Sequence, residues 1–341
     1  MIINDKIFFS INRNKIVIQR LSNKEEYRKI CDKNPEIPVF SQAWWLDVAT
    51  DHEEWDVVIV KNNETILGTM PYIYRKKYFF TELTIPLLSQ NLGPYIFYPK
   101  NQTYIKRLHF EKKVMISLIN GLPEYDFFYQ NFHYSLKNWL PFYWKDFQQT
   151  TRYTYVLEDL TDLDKVFNKF SLAKRQNIKK ARKLVQVKYD LPSREFFNFH
   201  DKVLKSQDKK ITYSYKTFKK RYEEGYKRNQ AKSFYAVDKE NNIHAALFII
   251  WDMQSAYALI GPIDPKYKSS GAFTLLIWEA ICFAATVSTK FDFEGSMIEN
   301  VENSYNQFGG IQRQYFSIKK YNSILLKLKN CFNEIIKRRN I

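Results

Sequence analysis

Residues 57–72, VVIVKNNETILGTMPY, and residues 234–249, FYAVDKENNIHAALFI, read alike. Each is an apolar run, a polar turn containing Asn, and a second apolar run, the pattern of a β-hairpin. Val60 and Ile66 fall on Val237 and Ile243 at an offset of 177. The correspondence continues in order. Leu92-Gly93-Pro94-Tyr95-Ile96 matches Ile260-Gly261-Pro262-Ile263-Asp264 at an offset of 168, and Tyr125-Asp126-Phe127 matches Phe291-Asp292-Phe293 at 166. Each half closes on an aromatic strand, Tyr153–Leu157 and Tyr315–Ile318. One such match is commonplace. Three in the same order with slowly drifting offsets indicate a duplicated α/β domain, with halves expected at 1–157 and 158–341.

The second half spells out its elements. Apolar residues Leu163, Val166, Phe167, Phe170, Ile178 and Ala181 predict one helix over Leu163–Leu184. A short strand follows at Val185–Tyr189, then a helix over Arg194–Ser206 with Ser193 as its expected cap, and a shorter helix over Phe218–Tyr226. After the hairpin come the strand Ala256–Ile260 and a helix from about Ala272 to Val287, apolar nearly all round and so expected to be buried. A buried strand Phe291–Phe293, a helix Glu299–Phe308 and the turn Gly309-Gly310 lead into the closing strand. This order describes an α/β sandwich on a mostly antiparallel sheet.

Composition excludes several functions. The chain has 341 residues and carries 53 Lys+Arg against 36 Asp+Glu, a formal +17, yet has only 9 Gly. It contains neither the G-x-x-x-x-G-K-[ST] phosphate loop nor the G-x-G-x-x-G dinucleotide turn, which makes nucleotide hydrolysis and Rossmann-type NAD chemistry poor readings. Cys31, Cys282 and Cys331 are far apart and five histidines are scattered, so no metal site is expected. Unpaired cysteines and the absence of a long apolar run point to a cytoplasmic protein. The opening 21 residues alternate like a strand and lack the apolar core of a leader. The charge is concentrated: residues 165–232 hold 21 Lys+Arg against 6 Asp+Glu, and residues 316–341 hold 7 against 1. Residues 233–315 are mildly acidic, at 5 against 9.

Three stretches carry a family resemblance. Ser171-Leu172-Ala173-Lys174-Arg175-Gln176-Asn177-Ile178-Lys179-Lys180-Ala181 resembles an S-x-x-x-R-x-x-I-x-K-A helix, Phe291–Ser296 a strand end ending in Gly-Ser, and Tyr305–Gly310 an F-G-G turn. These motifs and the order of elements resemble the FemAB/FemX group and the related BioF2-like acyltransferases of the GNAT superfamily. The resemblance implies an α/β (α+β sandwich) fold of two tandem GNAT-like domains with mostly antiparallel central sheets, the first shaping substrate and the second holding the transfer site. It implies an N-acyltransferase that moves an acyl or aminoacyl group to an amine of a phosphate-bearing cell-envelope precursor, of peptidoglycan or surface polysaccharide. The long helical hairpin of the tRNA-dependent bridge-building members has no counterpart, and the lysine expected before the F-G-G turn is replaced by Asn306 and Gln307. The pyrophosphate turn of acyl-CoA-dependent members is only approximated by Lys268, Ser269, Ser270 and Gly271. Acyl-CoA, acyl-carrier protein and aminoacyl-tRNA stay open as co-substrates, with no permanently bound cofactor.

Candidate site residues follow. Lys174, Arg175 and Lys179 sit in a cationic helix that repels itself unless an anion is near, suiting the phosphates of a nucleotide sugar, lipid pyrophosphate or tRNA, or a plain solvated face. Glu294, at a buried strand end beside Ser296, suits a base that takes a proton from the attacking amine or a group that orients it; the alternatives are a helix cap or a lysine partner. Tyr257 lies on the strand that splays in this fold, where main-chain N–H groups near Ala258–Ile260 would meet the oxyanion. Tyr213 and Tyr215, beside Gln207 and Lys210, form an aromatic, basic patch for a base or sugar, or simply for packing. Gln42, in Phe40–Trp45, reads mainly as packing. The segment Ile324–Arg339 is a basic amphipathic helix suited to the inner face of an anionic membrane, to a lipid-linked acceptor or to its own core. The rival readings are a non-catalytic nucleic-acid binder, for which no recognition motif is present and no DNA partner is expected, and a scaffold that has lost catalysis.

Overall fold

The two matching stretches are hairpins in the computed structural model, which describes residues 16–18, 23–50, 54–295 and 297–339. Of the strand expected over the first 21 residues, only Ile16–Ile18 is among them. In chain order the elements are β1 (Ile16–Ile18), α1 (Lys24–Lys33), α2 (Ala43–Ala49), β2 (Glu54–Asn62), β3 (Thr65–Lys77), β4 (Phe80–Thr84), β5 (Tyr95–Ile96), α3 (Tyr104–Asn120), β6 (Phe127–Asn131), α4 (Leu140–Tyr143) and β7 (Gln148–Leu157). Then come α5 (Leu163–Asn168), α6 (Leu172–Leu184), β8 (Gln186–Tyr189), α7 (Ser193–Lys205), α8 (Tyr215–Lys227), β9 (Ala231–Val237), β10 (Ile243–Trp251) and β11 (Ser255–Ile260). The chain finishes with α9 (Ala272–Ala284), β12 (Lys290–Asp292), α10 (Glu299–Tyr305), β13 (Ile311–Tyr321) and α11 (Ile324–Arg339).

Two compact units result. One comprises Met1–Thr151 with Tyr315–Ile341; the other is Arg152–Gln314. In the first, the sheet order is β1-β2-β3-β4-β6-β13; in the second it is β7-β12-β11-β10-β9-β8. All neighbours are antiparallel except one pair in each unit, β4 with β6 and β11 with β12. The duplication reaches to single residues. The Gly-Pro segments after β4 and after β11 fold back on β3 and β10 respectively, as Gly68 opposite Ile96 and as Ala245 opposite Ile263. Asn63 and Asn241 supply left-handed backbone in the two hairpin turns, at φ 52° and 61°.

The closing strands change places relative to the expected halves. Tyr153–Leu157 does not complete the first sheet; β7 pairs with β12 through Leu157–Phe291 and Val156–Asp292. β13 pairs instead with β6, from Ser317–Asn131 to Tyr321–Phe127. The boundary therefore falls at 151/152, and Tyr315–Ile341, expected in the second domain, belongs to the first unit. Both closing strands are short runs rich in aromatic and apolar residues, so sequence alone leaves their partners interchangeable.

Other differences are local. The helix expected over Leu163–Leu184 is two helices, because Ser171 adopts extended backbone and its side chain accepts the Lys174 N–H. Pro192, not Ser193, occupies the cap position of α7. The apolar helix stops at Ala284, and its core face is buried among Phe234, Leu247, Phe291 and their neighbours. Each such buried side chain stabilises the unit by about 1.5–3 kcal/mol. Among the described residues no helix is long and apolar enough to cross a membrane.

Candidate active site

The site is built where β11 and β12 part. Their parallel ladder has three pairs and stops at Tyr257 opposite Asp292, while β11 continues to Ile260. Beyond Asp292 the chain turns away through two successive left-handed residues, Glu294 at φ 57° and Gly295 at φ 54°. Glycine is required at the second: a Cβ there would lie 2.1 Å from the Tyr153 carbonyl oxygen. A glutamate in this conformation is strained, and strain of this kind collects at functional sites.

Asp292 is fully buried, and its Oδ1 accepts the Thr154 hydroxyl and, at 2.7 Å, the Glu294 N–H. Glu294 Oε1 is buried and has no hydrogen-bond partner among the described residues. Burial, and secondarily the Asp292 charge beside it, raises the Glu294 carboxyl well above the usual range. Tyr305 closes the same space, its ring 5.4 Å from Phe293, and burial followed by the Glu294 charge pushes its phenol up to about 12.

The N-terminus of α6 joins this cluster. Ser171 N–H donates to the Gln307 carbonyl at 2.9 Å, and its hydroxyl donates to the Gln307 side chain at 3.2 Å. Lys174 turns inward and is only 8% exposed. Its ammonium donates to Ser304 Oγ at 2.8 Å and stands 4.4 Å from the Phe308 ring centroid. Desolvation pulls it down to about 8. The expected cationic surface therefore has a buried member. Arg175 is half-buried with an Nε that finds no hydrogen-bond partner among the described residues, and the first turn of α6 contains no acidic residue. Cations at a helix N-terminus oppose the helix dipole, so an anion arriving there gains from both. Lys179 is exposed.

Other expected residues lie elsewhere. Tyr257 is fully buried, its hydroxyl donating to Asp252 at 3.1 Å, so its side chain is part of the core. Tyr213 is spent in an aromatic cluster between α7 and α8, its hydroxyl 3.0 Å from His200 Nδ1, and burial lowers that imidazole to about 4. Gln207 is exposed at the end of α7. Gln42 is buried and donates to the Ile37 carbonyl at 2.8 Å. Ser296 is outside the described residues.

The Lys268–Gly271 turn does not present a phosphate cradle. Gly271 has φ +76°, and a Cβ there would stand 2.6 Å from the Asn177 carbonyl oxygen, so α6 covers this face. The Ala272 N–H is already given to Ser270 Oγ at 3.2 Å, and the Ser269 carbonyl accepts Lys180 Nζ at 2.7 Å. Only Lys268 and the Ser269 side chain face solvent. Sequence reasoning missed Lys174 as a buried group, together with Asp292, Ser304 and Tyr305. Lys174, Asp292 and Tyr305 lie within the motifs already noted, whereas Ser304, one residue before the last of them, carried no signal of its own.

No family model matches the chain, and no curated protein matches its sequence. Solved structures do match. FemX superposes with a TM-score of 0.63 over 88% of this chain and 96% of its own, at 11% identity. A tandem GNAT protein from the clavulanic acid biosynthesis pathway gives 0.53 over 91% and 99%, at 8% identity. The C-terminal domain of a putative lysylphosphatidylglycerol synthetase from Agrobacterium fabrum gives 0.54 over 88% and 93%, at 10% identity. The chain has the tandem GNAT fold that these structures share.

Proposed function

We propose that this tandem GNAT chain is an acyltransferase that moves an acyl or aminoacyl group from an activated donor to an amine, with its reacting centre at the parting of β11 and β12. The observation that carries the reading is the buried carboxyl oxygen of Glu294 that has no partner among the described residues, held in a left-handed backbone beside Asp292. An unpaired buried carboxyl disfavours its own charge and so favours a cation brought to it. An acceptor ammonium is such a cation. It draws Glu294 into the ionised form, and the carboxylate takes one ammonium proton as the nitrogen attacks the donor carbonyl. The C–N bond forms, the bond from carbonyl carbon to the leaving oxygen or sulfur breaks, the proton passes from Glu294 to that leaving atom, and the second proton that the nitrogen sheds in becoming an amide goes to solvent. Main-chain N–H groups at Ala258–Ile260, beyond the end of the β11–β12 ladder, are the candidates for the oxyanion.

The acceptor in this reading is a phosphate-bearing cell-envelope precursor, with Arg175 and Lys179 as its phosphate contacts. The donor we favour is aminoacyl-tRNA or acyl-carrier protein rather than acyl-CoA, because the Ala272 N–H is already committed. Native mass spectrometry and thermal shift against charged tRNA, acyl-carrier protein, acyl-CoA and UDP-linked amino sugars test donor and acceptor together. Stabilisation by one of the first two, and transfer lost in Glu294→Gln, are expected. Binding of acyl-CoA alone would overturn the donor, and binding of none would overturn the enzyme.

A further inference from the structure

The helix α11 is mounted with its apolar side outward. Leu326 and Asn330 face the first unit, where the Tyr321 hydroxyl donates to Asn330 at 3.0 Å. Ile324, Leu328 and Phe332, one turn apart along the other side, are 75%, 52% and 65% exposed. On a helical wheel Lys327 and Lys329 flank this stripe on either side. An amphipathic helix serving only its own core would be turned the other way.

A second exposed apolar feature lies next to it. The β3–β4 hairpin ends in a two-residue turn, Tyr78-Phe79, closed by the pair Lys77–Phe80. Tyr78 is 87% and Phe79 is 79% exposed. Tyr78 takes φ +57°, a value at which Gly or Asn costs less, so an exposed aromatic sits where the backbone disfavours it. The hairpin end and α11 border one groove of about 400 Å³, with Phe80, Phe127, Tyr321 and Leu325 in its walls. Lys76 and Lys77 stand exposed at the hairpin end, as Lys327 and Lys329 do on the helix, and among the described residues none of the four forms an ion pair.

We infer that the hairpin end and α11 together form a docking surface for an anionic lipid bilayer. Aromatic and aliphatic side chains enter the interface while flanking lysines meet the headgroups, the arrangement of an interfacial anchor. Charge complementarity selects the occupant. Each lysine near an anionic surface strengthens binding about fivefold, which an uncharged apolar partner would not provide. The inference is independent of acyl transfer, since it concerns the first unit alone.

Vesicle co-sedimentation of the full chain tests it, with phosphatidylglycerol/phosphatidylcholine vesicles against phosphatidylcholine alone. Binding is expected only with the anionic lipid, weakened by high salt. Tyr78→Ser with Phe79→Ser should lower the partition coefficient about tenfold or more. Leu328→Ser with Phe332→Ser should do the same, and Lys327→Ala with Lys329→Ala should lower it about 25-fold. All six positions are exposed, and unchanged circular dichroism confirms the fold. No binding by the unaltered chain, or equal binding by all variants, overturns the inference. So does self-association that the variants abolish in the absence of lipid, which would make the patch an interface between copies.

Discussion

The Glu294 N–H donates to Asp292 Oδ1 at 2.7 Å, so a single Phe separates two carboxyl groups with opposite circumstances. Asp292 also accepts the Thr154 hydroxyl, whereas Glu294 Oε1 has no partner among the described residues. Burial and the neighbouring Asp292 charge therefore favour the protonated form of Glu294. Because its folded value is raised, the folded state binds a proton that the unfolded state has released, and stability falls as pH climbs above 4.5. Glu294→Gln should remove this loss, with a difference in slope of at most about 1.4 kcal/mol per pH unit in urea unfolding. The same variant should slow transfer by about a hundredfold or more. A parallel pH dependence in both proteins would contradict the protonated carboxyl.

Lys174 gives the opposite slope. Its folded value near 8 lies below the ordinary 10.5, so between these values the unfolded chain holds the extra proton. Stability should therefore rise across this window relative to Lys174→Met, by on the order of 2–3 kcal/mol. Denaturant titrations of the two proteins at pH 7 and pH 10 measure it.

Two neighbouring turns should tolerate a methyl group very differently. In Gly295→Ala the new Cβ meets backbone of Tyr153 and Thr154 at 2.1 and 2.5 Å in a left-handed residue. The expected loss is about 3 kcal/mol or more, visible as insoluble or cold-sensitive protein. In Gly310→Ala the nearest atom is 3.3 Å away, and the cost should stay below about 1 kcal/mol. Thermal melts distinguish them.

Tyr257→Phe separates fold from chemistry. Deleting the hydroxyl that donates to buried Asp252 at 3.1 Å should cost about 1–3 kcal/mol of stability. The transfer rate of the folded fraction should not change, because the Tyr257 side chain points into the core. A selective drop in rate would return Tyr257 to the site.

The hairpins, the Gly-Pro turns and the buried α9 were legible because each is dictated locally, by alternation, turn residues and a continuous apolar surface. Glu294 was legible as a carboxylate after a buried strand. Its left-handed backbone and empty Oε1 depend on Tyr153, Asp292 and Tyr305, whose proximity no local pattern encodes. Lys174 looked like its exposed neighbour Lys179, since facing inward depends on where α10 falls. The break at Ser171 was concealed by apolar spacing that runs on through it. The Lys268–Gly271 turn looked like a phosphate loop because Gly is required there, but the requirement comes from Asn177.

The exchanged closing strands set an order of events during synthesis. β6 of the first unit meets its antiparallel neighbour only through Ser317–Tyr321, near the end of the chain. The ribosome must deliver the whole of Arg152–Gln314 before that edge is covered. Until then β6 presents unpaired amides and carbonyls. The N-terminal unit, first to be made, is the last to be completed, and the second unit acts as an obligatory insertion within it.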